Sequence, residues 1–477
     1  MQFVSHKSNS GFMSNTRKLA FLREGSIIAP AGHGKTEEIA KAAAHGTRSL
    51  ILTHTHAGVH AIKSRLKRMG VSQSATIVDT IAGWAMRYAN AFPRTATPPN
   101  GMPRNAGEWT CLYDGAHRLL QISAIKRVVE ASYDRVFIDE YQDCEAGQHQ
   151  IAIALSKILP TVVLGDPMQG IFEFTGSIVS WNRDVLPVFP ELMSLDRPWR
   201  WEKKNEDLGN WIAQVRQKLL RGERIDLWDA PVKFIESDDQ FDMGAFFDDF
   251  DSRDGSVAAI HCWRQTCNQL AKASRGAYQS IEEVAAARLM AFAQQWDAAE
   301  DGAEQLTAIR QLRDECVHIK PSVEHQEGAS SDAEVLARIK SLAEVVKKGD
   351  APGAASAIIN LSRKLSNWRV YRGELWRDAE RTLEELARGR AGSAVAGATA
   401  VRQRVSLTGR SPHKRIISTP LLLKGLEFDH VVLPYATHFA QQRLAAAKLF
   451  YVAISRATRT LTVSGRERFL QFPVPTL

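Results

Sequence analysis

The pattern of apolar and polar residues along the chain predicts short buried strands that alternate with helices. Residues 26–29 and 49–53 form two short apolar runs, and Thr36–Ala44 between them has a helix-forming composition. Two similar runs at 135–138 and 161–164 each lead into acidic residues. Alternation of this kind favours a parallel sheet whose chemistry lies at the carboxyl ends of the strands.

The second half of the chain repeats this pattern around a long helical region. Further strands are predicted at 257–260, 415–418 and 430–433. Between the first two, apolar residues recur at helical spacing, and they are Ile281, Ala285, Leu289, Phe292, Trp296, Val335, Ile339, Leu342 and Val346. Linkers are predicted at 321–331 and in the small-residue run 389–400. The fold class is therefore predicted to be α/β, with two parallel-sheet cores and helical insertions.

Composition adds a broad class to this picture. The chain has 477 residues, of which 44% are hydrophobic and 24% charged, as expected for about three folded domain-sized units. It contains neither a long apolar run nor a signal-like start, so a cytoplasmic location is expected, without a membrane partner. The five scattered Cys residues favour reduced thiols over a disulfide framework or a zinc site.

Charge is unevenly distributed along the sequence. The formal net charge is +8, and residues 363–415 hold 13 basic and 5 acidic residues, which accounts for the whole surplus. A localised surplus indicates a surface for a polyanion. A solvated basic helix explains the same composition equally well, and both interpretations stay open here.

A Gly-rich turn carries the first chemical signal. Gly32, Gly34, Lys35 and Thr36 stand between a predicted strand and a predicted helix, and Ala29 occupies the place where the phosphate-loop consensus has its first Gly. Backbone N–H groups at a helix start can cradle phosphates, the Lys35 ammonium can reach the terminal phosphates, and the Thr36 hydroxyl can ligate magnesium. We expect a nucleotide site here.

Two consecutive carboxylates complement this loop. Asp139 and Glu140 follow the predicted strand 135–138. Asp139 is suited to hold magnesium, and Glu140 is suited to polarise an attacking water. The cofactors expected from both motifs together are ATP and Mg²⁺.

Four further motifs give the chain a family resemblance. They are Gly165–Gln169, Leu195–Arg200, Lys424–Phe428 and Tyr451–Ala457. In this order, with the phosphate loop and the paired carboxylates, the chain resembles the UvrD/Rep-like superfamily 1 DNA helicases. The resemblance implies two RecA-like cores of the P-loop NTPase type that together form an ATP site.

The same resemblance implies roles for single residues. Gln169 would sense the γ-phosphate, and Trp199 would stack on adenine. Arg200 and Arg456 would act as arginine fingers, and Glu427 would lie near the ribose. An ordinary surface ion pair is the alternative role for each arginine.

Contacts with DNA are also implied by resemblance. His54 and Thr55 belong to one DNA-contact motif, where the family usually has Phe at the position of His54, and Thr80 belongs to the next. Phe172 and Phe174 stand where the family presents aromatic side chains to single-stranded bases, since stacking tolerates any base. Burial in a hydrophobic core is the alternative for both phenylalanines.

The resemblance further implies a domain organisation. Its predicted parts are a first core at 1–89 and 132–194, a reduced first accessory insertion at 90–131, a second core at 195–275 and 412–477, and a helical second insertion at 276–411.

The function expected from the resemblance is ATP-dependent movement on single-stranded or partly duplex DNA, in the 3′ to 5′ direction. The segment Leu423–His430 and the reduced first insertion also resemble the helicase subunit of Gabija anti-phage defence systems. That likeness implies an OLD-like Toprim nuclease partner, through which the chain would form oligomers. Two alternatives stay open: a DNA-end or nucleotide sensor that regulates a nuclease without processive unwinding, and a stand-alone repair helicase.

Overall fold

The chain forms two compact units. The computed structural model describes residues 22–72, 74–103, 105–171, 178–228, 230–249, 253–275, 277–280, 285–319, 329–349, 351–408 and 414–477. The first unit contains the described residues up to Ile225, together with Arg443–Ser455 and Gln471–Leu477. The second contains the described residues of Asp226–Gln442 and Arg456–Leu470.

Strands and helices alternate along most of the chain. The strands are β1 (Glu24–Ile28), β2 (Ser49–Thr53), β3 (Thr76–Thr80), β4 (Arg135–Ile138), β5 (Thr161–Gly165), β6 (Glu191–Ser194), β7 (Ile225–Asp226), β8 (Lys233–Glu236), β9 (Val257–Ile260), β10 (Gln279–Ser280), β11 (Val317–Ile319), β12 (Trp368–Val370), β13 (Arg415–Ser418), β14 (Phe428–Leu433), β15 (Ala457–Gly465) and β16 (Phe469–Leu470). The α-helices are Lys35–Ala43, His56–Arg68, Ile81–Ala91, Pro93–Ala96, Ala106–Leu119, Ser123–Ser132, Ala146–Ser156, Glu206–Arg221, Gly244–Phe247, Arg264–Ala273, Ala285–Ala298, Gly302–Cys316, Ala329–Lys347, Pro352–Ser362, Gly373–Ala387, Ala394–Thr408 and Ala446–Ile454.

The first unit is built on a six-stranded sheet in the order β3-β2-β4-β5-β1-β6. All of its strand pairs are parallel. Along β2, Leu50 and Leu52 belong to one buried cluster, and Ile51 between them belongs to another. Helices therefore cover both faces of the sheet, which is why its strands read as continuous apolar runs.

The second unit contains another parallel six-stranded sheet, in the order β10-β13-β9-β14-β15-β8. Val257, Ala259, Ile417 and Val432 contribute to the buried cluster on one of its faces. The predicted α/β class is confirmed: the protein has two parallel-sheet cores with helical insertions.

The helical region of the second unit has a hydrophobic core of its own. Leu289, Phe292, Trp296 and Val346 from the predicted stripes are buried in it, whereas Ile281 lies outside the described residues. The predicted linker at 389–400 is wrong over its second half, because a helix begins at Ala394. Ala394 and Ala398 are fully buried in the same core, so the small side chains allow close helix packing. Most of the linker predicted at 321–331 lies outside the described residues.

The units divide the chain differently from the predicted domain scheme at three places. Residues 195–225, 443–455 and 471–477, all predicted in the second core, lie in the first unit. In the predicted first insertion at 90–131, Leu112 and Leu119 share a core cluster with Leu50 of the sheet. This insertion therefore packs on the first sheet, and the predicted domain boundaries stay a prediction.

Many arginines of the basic segment 363–415 form ion pairs inside the second unit. The described pairs are Arg363–Glu380, Arg372–Glu315, Arg388–Glu384, Arg390–Glu385 and Arg402–Asp378. Four of these five carboxylates lie inside the segment and are already counted in its net charge. The pairs therefore leave most of the surplus in place, and both interpretations of this stretch stay open. None of the described helices is long and apolar enough to cross a membrane.

Candidate nucleotide site

The phosphate loop follows β1 and begins a helix at Lys35. Gly32 and Gly34 have φ angles of 74° and 84°, in the left-handed region that favours glycine. A Cβ atom added at Gly32 would lie 2.6 Å from the Trp201 ring, and one added at Gly34 would lie 3.0 Å from Trp199. Ala29 has no positive φ angle, so the loop accommodates alanine at the first consensus position.

The sheet register brings the chemical side chains to one edge. In the pairing of β1 with β5, Ile28 lies opposite Gly165, and in the pairing of β4 with β5, Ile138 lies opposite Val163. Each of these strands is followed at its carboxyl end by a motif that the sequence singled out. The phosphate loop, the paired carboxylates and the Gln169 motif therefore leave the sheet side by side, as predicted for a parallel sheet.

Lys35 lies between the two predicted carboxylates. Its Nζ atom is 3.0 Å from Asp139 Oδ1 and 2.7 Å from Glu140 Oε1. The Asp139 side chain is 6% exposed, and that of Glu140 is 35% exposed. The structure thus brings Lys35 to two adjacent carboxylates that stand more than a hundred positions later in the sequence.

Burial and charge compete at this pair. Burial by itself lowers the pKa of Lys35, but the Asp139 and Glu140 carboxylates outweigh it and raise that pKa overall. Burial raises the pKa of Asp139, and the nearby Lys35 ammonium opposes this rise. The ammonium therefore stays protonated and acts as the counter-ion of the two carboxylates.

Glu140 has an unusual backbone conformation. Its φ and ψ angles are 55° and 39°, which places a non-glycine residue in the left-handed region. This conformation costs about 1–2 kcal/mol for an L-residue. Such strain persists only where the surroundings impose it, and it clusters at functional sites. The Glu140 carboxylate lies 2.7 Å from the Lys35 ammonium, and the strained conformation beside it supports a chemical role for this side chain.

Gln169 is buried and its amide is oriented by a neighbouring carboxylate. Gln169 Nε2 donates to Asp166 Oδ2 at 3.1 Å. The Asp166 backbone N–H in turn donates to Gln142 Oε1 at 3.0 Å, and Gln142 Nε2 donates to Glu140 Oε2 at 2.6 Å. A continuous chain of hydrogen bonds therefore joins the predicted γ-phosphate sensor to the predicted water-polarising carboxylate.

Trp199 and Arg200 also contact the phosphate loop. The Arg200 backbone N–H donates to the Gly32 carbonyl at 3.0 Å, and its Nη1 donates to the Ser455 carbonyl at 2.6 Å. The guanidinium of Arg197 stacks on the Trp199 ring at 3.8 Å. Trp201, which the sequence did not single out, is fully buried against the loop.

Arg456 and Glu427 belong to the second unit. Arg456 is 1% exposed, and its Nη1 donates to the Leu426 carbonyl at 3.3 Å. Its own carbonyl accepts from the Phe428 backbone N–H. Glu427 is exposed. The predicted roles of both residues at the nucleotide stay predictions.

The predicted DNA-contact residues have clear structural roles where they are described. Thr55 and Thr80 are N-caps, and their side chains accept from the N–H groups of Gly58 and Gly83 at 3.0 and 2.9 Å. His54 lies 3.4 Å from the Cys144 thiol. Their DNA contacts stay predictions, and Phe172 and Phe174 lie outside the described residues.

ATP and magnesium fit the residues gathered here. The glycine loop leaves a space that a Cβ would fill, and the Lys35 ammonium stands in for a cation beside Asp139 and Glu140. Thr36 and Asp139 supply the oxygen donors that Mg²⁺ prefers, with water and phosphate completing its shell. The described residues contain no cluster of three or more His, Cys, Asp or Glu suited to a metal.

The residues that the sequence reasoning missed are mostly partners of the predicted ones. They are Trp201 and Arg216, together with Gln142, Asp166 and Tyr451, which stand in or beside the predicted motifs but receive no individual role from the sequence. Arg216 carried a readable signal, because it interrupts the apolar stripe of the helix Glu206–Arg221 with a charge. A charge in such a stripe must have a partner elsewhere.

Residues 102–183 match the family model of the UvrD/REP helicase N-terminal domain. The matched stretch includes Asp139, Glu140 and Gln169, although it covers less than half of the chain. The match supports a superfamily 1 helicase, a class of NTP-hydrolysing enzymes that bind DNA. No curated protein matches the chain.

Among solved structures, the chain is similar to the nonstructural protein 10 helicase of an arterivirus, described in complex with DNA. The two are 10% identical with a TM-score of 0.34, and the match covers 94% of this chain and 63% of the viral protein. The chain therefore spans less than two thirds of that helicase. So loose a likeness adds nothing to the family match.

Proposed function

We propose that the chain is an ATP-dependent helicase or translocase of the UvrD/Rep-like class that acts on single-stranded DNA. The observation that carries this proposal is the Lys35 ammonium held by Asp139 and Glu140 at 3.0 and 2.7 Å, beside a glycine loop and a buried Gln169. The family match over residues 102–183 supports the same class.

Each residue of the first unit has a distinct task in this proposal. Lys35 exchanges the carboxylates for the terminal phosphates of ATP. Thr36 and Asp139 would hold magnesium, which would supply positive charge to those phosphates. Glu140 orients the attacking water and accepts its proton at a carboxylate oxygen. Gly32 and Gly34 allow the backbone to approach the phosphates closely.

The remaining site residues bind and sense the nucleotide. Gln169 and Arg200 respond to the γ-phosphate, and Trp199 stacks on the base. Support for the first two comes from their positions, because Gln169 is connected to Glu140 and Arg200 contacts the phosphate loop. The tasks of Arg456 and Glu427 rest on resemblance alone.

A cationic cleft in the second unit supports a nucleic-acid substrate. It has a volume of about 510 Å³ and is lined by Arg264, Gln265, Asn268, Gln269, Lys272, Arg288, Tyr371 and Arg372. Basic and amide side chains of this kind bind phosphodiester oxygens. Glu315 pairs with Arg288 and Arg372 at 2.7 and 3.3 Å. Within the part of the chain that the structure describes, Arg264 and Lys272 are the lining cations that have no ion pair.

Stimulated ATP hydrolysis tests the proposal. The wild-type chain should hydrolyse ATP faster with a single-stranded oligonucleotide than without it. Glu140→Gln should retain binding of a fluorescent ATP analogue and lose turnover by about a hundredfold or more, since the general base is removed. Glu130→Gln, an exposed change on another helix of the first unit, is the matched control. Unchanged turnover in Glu140→Gln would refute the assignment.

The finer features of the function rest on sequence resemblance. They are 3′ to 5′ movement, DNA rather than RNA as the track, and an OLD-like Toprim nuclease as the partner in anti-phage defence. Strand displacement with 3′-tailed and 5′-tailed duplexes tests the direction. Co-purification of a stoichiometric nuclease with the tagged chain tests the partner, and its absence would favour a stand-alone helicase.

A further inference from the structure

A buried ion pair in the first unit joins two parts of the candidate site. Arg216 lies on the core-facing stripe of the helix Glu206–Arg221, and its side chain is only 7% exposed. Its Nη2 atom is 2.9 Å from Asp166 Oδ1, and the Asp166 side chain is fully buried. A buried guanidinium is costly unless it is paired and hydrogen-bonded, so the pair needs an explanation beyond packing.

Asp166 gathers several donors. Besides Arg216, its carboxylate accepts from the Gln169 amide at 3.1 Å and from the Met168 backbone N–H at 3.2 Å. The position of the Gln169 side chain therefore depends on Asp166, and the Arg216 guanidinium holds the Asp166 carboxylate in place. Arg216 thus acts on the predicted γ-phosphate sensor through one intermediate side chain.

Tyr451 extends this network to the phosphate loop. Its hydroxyl accepts from the Ala31 backbone N–H at 3.0 Å and is hydrogen-bonded to both Asp166 and Arg216. A phenol has one donor and two acceptor positions, so it donates to the Asp166 carboxylate and accepts from Ala31 and Arg216. Burial raises the pKa of Tyr451, which keeps the hydroxyl protonated and able to donate.

The complete network spans the site. It runs from the phosphate loop at Ala31 through Tyr451 and Asp166 to Gln169, and through Gln142 to Glu140. Every member is polar and buried or half-buried, and removal of one leaves its partners without hydrogen bonds in a region of low dielectric. Such a network fixes the relative positions of the groups at its ends.

We propose that Arg216 and Tyr451 are positioning residues that hold Gln169 and the phosphate loop in the geometry needed for hydrolysis. This inference rests on the proposed function. Neither side chain needs to touch the nucleotide. Their loss should therefore slow turnover more than it weakens ATP binding, which a purely structural role would not do selectively.

Two conservative variants test the proposal, with the full chain and a single-stranded oligonucleotide. Tyr451→Phe removes only the hydroxyl, and Arg216→Lys keeps the charge but loses the planar fork. Each should lower kcat for ATP about tenfold or more and change KM less than about threefold. Because both act through Asp166, the double variant should lose much less than the product of the two single losses.

Matched controls come from the second unit. Tyr278 is fully buried and its hydroxyl donates to the Phe246 carbonyl at 3.0 Å. Arg253 is 6% exposed and pairs with Asp248 at 3.7 Å. Tyr278→Phe and Arg253→Lys should lower the melting temperature by an amount similar to that of the test variants while leaving kcat within about twofold of wild type.

The outcomes separate the inference from the function. A wild-type chain that does not hydrolyse ATP refutes the proposed function. A hydrolysing wild type with unchanged kcat in Tyr451→Phe, or with losses confined to KM, overturns the inference alone. Equal kcat losses in the control variants also overturn it. If Arg216→Lys fails to fold, Tyr451→Phe decides the matter by itself.

Discussion

Replacement of Lys35 by Met is the perturbation whose consequence follows most directly from the site geometry. The change removes the ammonium from between Asp139 and Glu140, to which its Nζ atom lies within 3.0 Å, while it keeps the volume of the side chain similar. The two carboxylates then face each other without a counter-ion, and one of them is almost completely buried.

The expected cost follows from burial and charge. Removal of one partner of a buried ion pair typically costs about 3–5 kcal/mol. Because the Glu140 side chain is 35% exposed, water can solvate it in part, and we expect a loss of about 3 kcal/mol at pH 7. Burial already raises the pKa of Asp139, and loss of Lys35 raises it further. The deficit should therefore shrink as the pH falls and Asp139 takes up a proton.

A double-mutant cycle isolates the interaction. Urea unfolding without nucleotide is measured for three variants: Lys35→Met, Asp139→Asn and the double variant. The free energy of unfolding is obtained from the first unfolding transition that these variants shift. The double variant has no buried carboxylate at position 139 to compensate, so it should be about 2 kcal/mol more stable than Lys35→Met. Circular dichroism at pH 7 and pH 5 provides the measurement.

Any of three results would refute this prediction. One is a loss below about 1 kcal/mol in Lys35→Met, which would mean that the pair is solvated. Another is additivity in the cycle, which would mean that Lys35 and Asp139 do not interact in the folded chain. The third is a deficit that grows on acidification, which would contradict the expected protonation of Asp139.

Two other predictions concern the second unit. His261 is fully buried and stacks on His438, with 3.7 Å between the ring centroids. Burial lowers the pKa of His261 to about 4, whereas a histidine in an unfolded chain has a pKa of about 6.5. The unfolded state therefore binds more protons than the folded state between these two pKa values, and the free energy of unfolding should fall by about 2 kcal/mol from pH 7 to pH 5. In urea unfolding, the stability of His261→Gln should depend less steeply on pH than that of the wild type. A pH dependence as steep as that of the wild type would contradict this prediction. In the cationic cleft, Arg264→Gln with Lys272→Gln should weaken oligonucleotide binding and reduce the slope of log K against log salt by about 1 for each charge. Fluorescence anisotropy measures oligonucleotide binding at several salt concentrations, with Lys340→Gln on another exposed helix as control. An unchanged slope would exclude the cleft as an oligonucleotide-binding surface.

Much of the fold could be predicted from local pattern. The predicted strands 49–53, 135–138, 257–260 and 415–418 have the observed bounds, because parallel strands buried on both faces are continuous apolar runs. The phosphate loop was predictable for a related reason. Its glycines, lysine and threonine are adjacent in sequence, and their left-handed backbone angles are imposed locally.

Other features depend on contacts between distant segments and could not be predicted this way. Asp166, Arg216 and Tyr451 form one network although they come from three parts of the chain. The small residues at 394–400 predict a linker, because an alanine run has no apolar stripe. Their burial at Ala394 and Ala398 arises from neighbouring helices that approach closely enough to need small side chains.

The central claim is that ATP hydrolysis at the site around Lys35 and Glu140 drives movement along single-stranded DNA. Displacement of streptavidin from oligonucleotides biotinylated at either end measures this movement directly. The wild-type chain should displace streptavidin from one end only and only with ATP, and Glu140→Gln should bind ATP and DNA without displacing it. Absence of displacement from both ends by a hydrolysing wild type, or displacement by Glu140→Gln at the wild-type rate, would contradict the claim.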